Sequence, residues 1–235
     1  MALSLAGVAI MSLLLLSADI GKAKNQLKFS QLFSKNASLN YLSAARLCLF
    51  AARDVWFVVA LPVYLSSVLN WSFYFVGAFM AVWIIFYGFI QANTPKLIQL
   101  LNGRHLQSSG NRQQSLMSSV HLVTIWGSIL TLISLLIALV LSFSLHSQVV
   151  IIIGLLVFGF AFAINSSLHS YLIVAFARDD GISMDVGFYY MANAMGRLIG
   201  TLLSGWIYQY YGLYPCLIFS ALLACGSVLF IKRII

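Results

Sequence analysis

The chain has 235 residues, of which 62% are hydrophobic and 8% are charged. A soluble domain has roughly a quarter of its residues charged, so this composition excludes an ordinary soluble protein and indicates an integral membrane protein. The formal net charge is +8 at pH 7, but the basic residues lie between apolar stretches, which predicts membrane orientation and no nucleic-acid partner.

Seven apolar stretches approach or exceed the ~20 residues that a helix needs to cross a bilayer. Their continuous apolar character favours helices over the alternating strands of a membrane barrel. We therefore predict an all-α, polytopic membrane protein with about seven transmembrane helices. The predicted spans are Ala2 to Ser17, Tyr41 to Leu69, Ser72 to Asn93, Ser118 to Leu145, Val149 to Phe176, Met184 to Tyr208 and Tyr214 to Ile231.

The first span is short enough to suggest a signal peptide, but it has no basic segment before it and no small-x-small cleavage site after it. We predict instead a transmembrane helix in residues 1–18, followed by a polar linker in residues 19–40.

Basic residues occupy alternate connections between the predicted spans. By the positive-inside rule these connections are cytoplasmic, which predicts that the C-terminus is also cytoplasmic. We expect the protein to lie in the cell (inner) membrane. The opposite turns, such as Asn70-Trp71, carry no charge. The basic residues concerned are Lys22, Lys24, Lys28, Lys35, Lys96, Arg104, Arg112, Arg178, Lys232 and Arg233.

Three charged residues interrupt the spans far from their ends. Arg53 and Asp54 lie about twelve residues, or ~18 Å, into the second span, and Arg197 lies equally far into the sixth. A charge at this depth costs roughly 2.5 to 3.5 kcal/mol, so such residues usually face a cavity or a partner. Two guanidiniums at one depth indicate an anion site, because their planar forks match phosphate or carboxylate oxygens. In the alternative, Arg53 extends to the cytoplasmic headgroups.

Arg46 and Arg53 are seven residues apart and share a helix face with Phe50, Phe57 and Tyr64. This pattern predicts a polar-aromatic stripe suited to a cavity wall. Arg46 itself could line that cavity or extend to the headgroups.

Asp54 points about 100° away from Arg53, so we expect it to need a partner of its own. Two interpretations remain open for this carboxylate. It could take up a proton during transport, or it could form a structural ion pair with Arg197 or Arg46.

On the sixth span we expect Arg197 to be buried among Met195, Leu198 and Ile199. Asn193 precedes Arg197 by four residues and is predicted to hold or orient it. A second row of the same span carries small residues at every fourth position, which predicts close approach of a neighbouring helix. The row consists of Ala192, Gly196, Gly200 and Ser204.

Asn165, Ser166 and His169 form a polar patch on the fifth span. We include Asn165 among the candidate substrate ligands. His169 is either a further ligand or a buried, hydrogen-bonded polar residue. Asp185 is predicted at the start of the sixth helix, where a negative charge interacts favourably with the helix dipole.

Metal, cofactor and catalytic motifs are not evident. Cys48, Cys216 and Cys225 lack metal-ligand or disulfide spacing and are interpreted mainly as packing residues. HExxH, GxSxG and phosphate-binding loop patterns are also missing from the sequence, so we predict no enzyme, no cofactor and no metal.

Three segments carry a resemblance to a known family: SAARLCLFAARDVWFVVALPVYL from Ser43, GAFMAVWIIFYGFIQANTPKL from Gly77, and MDVGFYYMANAMGRLIGTLLSGWIYQYYGL from Met184. They resemble the C-terminal half of major facilitator superfamily transporters, and most of all organoarsenical efflux permeases of the ArsJ type. The resemblance implies that residues 1–18 correspond to helix six, that residues 19–40 correspond to the central loop, and that residues 41–235 form the C-terminal six-helix bundle. It also implies a missing N-terminal six-helix half as a partner.

The function implied by the resemblance is export of an arsenylated phosphoglycerate by alternating access. The arginines alone would suit another organic phosphate or a carboxylate equally well, and a truncated fragment that inserts without transporting is a further alternative. A seven-helix receptor agrees with the orientation but does not account for charges near the midplane. The expected substrate ligands are Arg53, Arg197, Asn193, Asn165 and His169, with Asp54 as the proton-coupling or ion-pairing residue.

Overall fold

A computed structural model describes residues 37–102, 112–143, 147–177 and 182–234, together with residues 6, 7, 10–12 and 14. The chain divides into two compact units, Met1–Leu32 and Phe33–Ile235. Most of the predicted first span and most of the predicted linker lie outside the described residues. In the first unit, the few described positions are helical.

The described part of the second unit consists of helices joined by short connections. The helices are α1 (Ala37–Phe57), α2 (Ala60–Ser67), α3 (Phe73–Asn102), α4 (Arg112–Ser142), α5 (Ser147–Phe176), α6 (Ile182–Tyr211) and α7 (Leu213–Lys232). The predicted all-α class is confirmed for this part of the chain.

Five helical stretches among the described residues are long and apolar enough to cross a membrane. They are Ala37–Ser67, Phe73–Ile98, Leu116–Ser142, Ser147–Phe176 and Leu213–Lys232. Helix α6 is 30 residues long but is not one of these five. Polar side chains such as Asn193 and Arg197 interrupt its apolar sequence. The chain is thus an all-helical protein with the character of a multi-pass membrane protein.

The second predicted span is two helices, not one. Helix α1 ends at Phe57 and α2 begins at Ala60. Pro62 explains the break, because a proline has no N–H to donate to the carbonyl of Val58 and its ring crowds that carbonyl. At this break the N–H of Ala60, the first residue of α2, donates to Ser204 Oγ of α6 at 3.0 Å.

Helix α1 packs against α5, α6 and α7, and most extensively against α6 and α7. Helix α4 lies against α5 and α7, and α3 lies against α5. Between α6 and α7 the chain turns at Gly212, whose φ of +79° is in the left-handed region that glycine adopts without strain. This arrangement brings residues of α1, α5 and α6 together.

The apolar core forms two clusters. One includes Leu49, Phe50 and Phe162, and the other includes Ala45 and Ile164. Along α1, Arg46 falls at the boundary between the two clusters, and along α5 the polar residues Asn165 and Ser166 follow Ile164, the first residue of the second cluster on that helix. A polar layer thus crosses the bundle where these helices meet.

Candidate functional site

The carboxylate of Asp54 lies between two guanidiniums. Its Oδ1 accepts a hydrogen bond from Arg53 Nε at 2.6 Å, and its Oδ2 accepts one from Arg197 Nε at 3.3 Å. The Asp54 side chain is 1% exposed, so both oxygens are shielded by protein. The predicted ion pair of Asp54 with Arg197 is therefore present in the structure.

Asp54 has a partner of its own in Arg197, as expected, but it is also bonded to Arg53, which was not expected. Adjacent side chains leave the helix about 100° apart, but the three methylenes of Arg53 let its guanidinium reach around α1 to the neighbouring carboxylate. With two arginines and one carboxylate, the cluster of Arg53, Asp54 and Arg197 keeps an excess of one positive charge.

Close contact between α1 and α6 is made possible by the row of small residues on α6. A Cβ atom on Gly200 would lie 2.8 Å from the carbonyl oxygen of Ala51, and one on Gly196 would meet the carbonyl of Leu47 even more closely. The prediction that this row admits a neighbouring helix is confirmed. The approach of the two backbones is what lets Arg197 reach Asp54.

Arg197 is not buried, contrary to the prediction. Its side chain is 58% exposed, and Met195, Leu198 and Ile199 are also exposed. The helix period explains this result: Gly196 and Gly200 face α1, so the residues on either side of them project to the open face of α6. Arg197 contacts α1 at the edge of that interface.

Arg46 lies about two helical turns before Arg53 and Asp54 on α1 and is 4% exposed. Its Nε donates to Asn193 Oδ1 at 3.2 Å. Its Nη1 donates to the carbonyl oxygen of Ser166 at 2.9 Å and to Ser166 Oγ at 3.1 Å. Arg46 therefore connects α1 with both α5 and α6.

Two expectations are corrected by these contacts. Arg46 does not extend outward, because its guanidinium is enclosed by α5 and α6. Asn193 holds Arg46 and not Arg197: its side chain points to the α1 interface, whereas Arg197 lies at the open edge. The partner of Asn193 is therefore set by the packing of α6 against α1 and not by its four-residue spacing from Arg197.

The phenyl ring of Phe50 lies between the two arginines of α1. The guanidinium carbon of Arg46 is 4.2 Å from the ring centroid, and that of Arg53 is 4.9 Å from it. Arg53 is also 5.2 Å from the ring centroid of Phe162 on α5. Within the predicted stripe, Arg46, Phe50 and Arg53 are therefore in contact, and cation–π contacts stabilise both charges. Its role as a cavity wall stays a prediction.

Asn165 and His169 are both buried on α5. Neither side-chain atom of Asn165 and neither ring nitrogen of His169 has a hydrogen-bond partner in the described part of the chain. The amide nitrogen of Asn165 lies 3.7 Å from where a Cβ of Gly127 would be, so Asn165 is directed toward α4. His169 follows Ser166 by three residues and shares its helix face.

Sequence reasoning missed Ser166 and Tyr189 as partners of Arg46. The Tyr189 ring centroid is 5.1 Å from the guanidinium carbon of Arg46, and the ring is fully buried. A signal was available: Tyr189 and Asn193 are four residues apart and share a face of α6. Which residue of α1 they meet could not be read from the sequence.

Asp185 is in the first turn of α6, as predicted. The three cysteines are free thiols. Among the residues that the structure describes, no three metal-ligating side chains come together.

None of the protein-family models, curated proteins or solved structures compared with this chain gives a significant match.

Proposed function

We propose that this chain is part of a secondary membrane transporter that exports a small organic anion. The observation that carries the proposal is the convergence of Arg53 and Arg197, from two helices, on the single carboxylate of Asp54. Guanidiniums that share one carboxylate keep N–H groups for a second anion. Within the described residues, Arg197 donates through its Nε alone.

The depth of the cluster supports the same proposal. Asp54 lies near the middle of the candidate span Ala37–Ser67. An arginine exposed to lipid at such a level costs roughly 2.5 to 3.5 kcal/mol, so the open face around Arg197 requires water or protein against it. A water-filled path shared with a second helical bundle satisfies this requirement. We propose that the bundle is an N-terminal six-helix half and that the path opens by alternating access.

The proposed cargo is an arsenylated phosphoglycerate, on the resemblance described above. Its carboxylate and its phosphoryl-like groups match planar guanidinium donors. In this proposal the substrate competes with Asp54 for the two arginines. We propose Asp54, when it is released from Arg53 and Arg197, as the residue that couples transport to a proton. The C-terminus is proposed to be cytoplasmic, in the inner membrane.

Uptake into inverted membrane vesicles tests the proposal. Glyceraldehyde 3-phosphate, its dehydrogenase, NAD and arsenate would generate the cargo outside the vesicles, and accumulated arsenic would be measured by mass spectrometry. We expect uptake by the wild-type chain, with a second half co-expressed where needed, and almost none by Arg53→Ala or Arg197→Ala. Arg197→Lys should also transport poorly, because a point charge lacks the fork.

The matched control is Arg233→Ala, since Arg233 is an exposed arginine just beyond the end of α7. It should transport like the wild type at equal membrane abundance. Normal uptake by Arg197→Ala would overturn the anion site. Absence of uptake by the wild type with and without a second half would favour a fragment that inserts but does not transport. Uptake of 3-phosphoglycerate alone would point to another organic phosphate as cargo.

A further inference from the structure

Arg46 carries a buried positive charge that is matched only by neutral groups. Its hydrogen-bond acceptors are the amide oxygen of Asn193 and two oxygens of Ser166. No carboxylate oxygen of the described residues lies within 4.0 Å of it, since the ion pairs there join Asp54 to Arg53 and to Arg197. Buried charges in proteins are almost always paired. Arg46 therefore differs from Arg53 and Arg197, which already share a counter-charge.

Two buried polar side chains without hydrogen-bond partners in the described part of the chain lie on the helix faces near Arg46. Ser43 precedes Arg46 by three residues on α1, and His169 follows Ser166 by three residues on α5. Both side chains are buried, and neither Ser43 Oγ nor the His169 ring nitrogens have a hydrogen-bond partner among the described residues. Leaving the hydrogen bonds of buried groups unmade is costly, so two such groups on helix faces next to a buried charge without a counter-charge point to a ligand.

We propose that Arg46 is the centre of a second anion site, between α1, α5 and α6, which binds one acid group of a small organic anion. The proposal rests on the proposed transport function. It makes the guanidinium of Arg46, which has no carboxylate partner among the described residues, a binding group for the substrate. Ser166 and Asn193 orient the guanidinium through Nε and Nη1. Its Nη2, which has no hydrogen bond within the described residues, is the donor left for the ligand. Ser43 and His169 are the adjacent groups able to donate.

The two sites are close enough to share one ligand. Because both guanidinium carbons lie within 5 Å of the same Phe50 centroid, they are no more than about 9 Å apart. An anion with an acid group at each end of a three-carbon chain has about this reach. The inferred substrate class is therefore a short organic dianion, with one acid group at Arg46 and the other at Arg53 and Arg197.

Binding of 3-phosphoglycerate to the full chain in dodecyl maltoside, a detergent without phosphate, tests the inference. Affinity would be obtained from the ligand-dependent rise of the melting temperature above each variant's own baseline. We expect Arg46→Gln to weaken binding about ten- to a hundredfold. The affinity of Arg46→Lys should lie between those of the wild type and Arg46→Gln, because lysine keeps the positive charge but lacks the planar, forked guanidinium. Arg233→Gln should bind like the wild type.

The outcomes separate this inference from the proposed function. Equal affinity in the wild type and Arg46→Gln, with a loss in Arg197→Gln, would overturn the Arg46 site and leave the transport proposal standing. Loss of binding in both Arg46→Gln and Arg197→Gln would support the Arg46 site. If no variant binds 3-phosphoglycerate, the inference is overturned, whereas vesicle transport still decides the function.

A second arm distinguishes a free anion from a lipid headgroup, which offers the same phosphate chemistry. Phosphatidylglycerol would be added to the delipidated chain in place of 3-phosphoglycerate. Stabilisation that depends on Arg46 supports an anion site in either arm, and the arm that shows it identifies the source. Stabilisation by either ligand that is unchanged in Arg46→Gln would overturn the site.

Discussion

Arg197 and Asp54 meet across the interface of α6 and α1, with Nε 3.3 Å from Oδ2. The same carboxylate accepts a shorter hydrogen bond, of 2.6 Å, from Arg53. One buried acidic group thus holds two basic groups on different helices. In the proposed function, an anion that displaces Asp54 would change the contacts of both helices at once, which would link binding of the anion to helix packing.

Asp54→Asn tests the role of the shared carboxylate in stability. Loss of its charge leaves two guanidiniums near each other without a counter-charge. We expect the free energy of unfolding to fall by about 3 kcal/mol, the low end for a broken buried pair, because Arg197 is partly exposed. Unfolding in mixed detergent micelles would measure this change. Asp54→Glu keeps the charge and should lose less, whereas equal losses in both variants would contradict the role of charge.

Gly196→Ala tests the close approach of α6 to α1. The added methyl group would meet the backbone carbonyl of Leu47, which cannot move without shifting the helix. We expect a loss of about 1 to 3 kcal/mol in the free energy of unfolding. Gly205→Ala on the same helix is the matched control, because nothing lies within 4 Å of its added Cβ. It should be neutral or stabilise by up to about 1 kcal/mol.

Ser204→Ala tests the junction between α1 and α2. The hydroxyl of Ser204 accepts the hydrogen bond of the Ala60 N–H at the helix break, and both residues are buried. Removing it leaves a buried donor without a partner and should cost about 1 to 3 kcal/mol. Ser142→Ala is the control, since its exposed hydroxyl bonds only within its own helix. A similar small effect in both variants would show that the contact does not stabilise the junction.

Sequence patterns predicted most helix positions because apolar periodicity and length depend on local residues. The small-residue row of α6 even predicted a close helix neighbour. The break at Val58–Val59 was missed, although Pro62 was a signal for it. A proline near the end of a span is compatible with a continuous helix. The continuous apolar sequence therefore led to the prediction of a single helix.

The pair of Asp54 with Arg197 was one of the interpretations left open by the sequence. The other partners of the charged residues could not be predicted, because they depend on how helices from distant parts of the sequence are rotated. Asn193 bonds to Arg46, which is 147 residues away, and not to Arg197 on its own helix. Exposure of Arg197 likewise follows from which side of α6 packs on α1. Helical spacing relates residues on one helix and carries no information about the rotation of its neighbours.

The most direct test of the account is a double-mutant cycle of Asp54→Asn and Arg197→Gln, measured as free energies of unfolding in mixed micelles. The central claim is that these residues, with Arg53, act as one unit across two helices. We predict that the double variant loses at least about 1 kcal/mol less than the sum of the single losses, as is typical of residues in contact. Additivity within about 0.5 kcal/mol would contradict the claim.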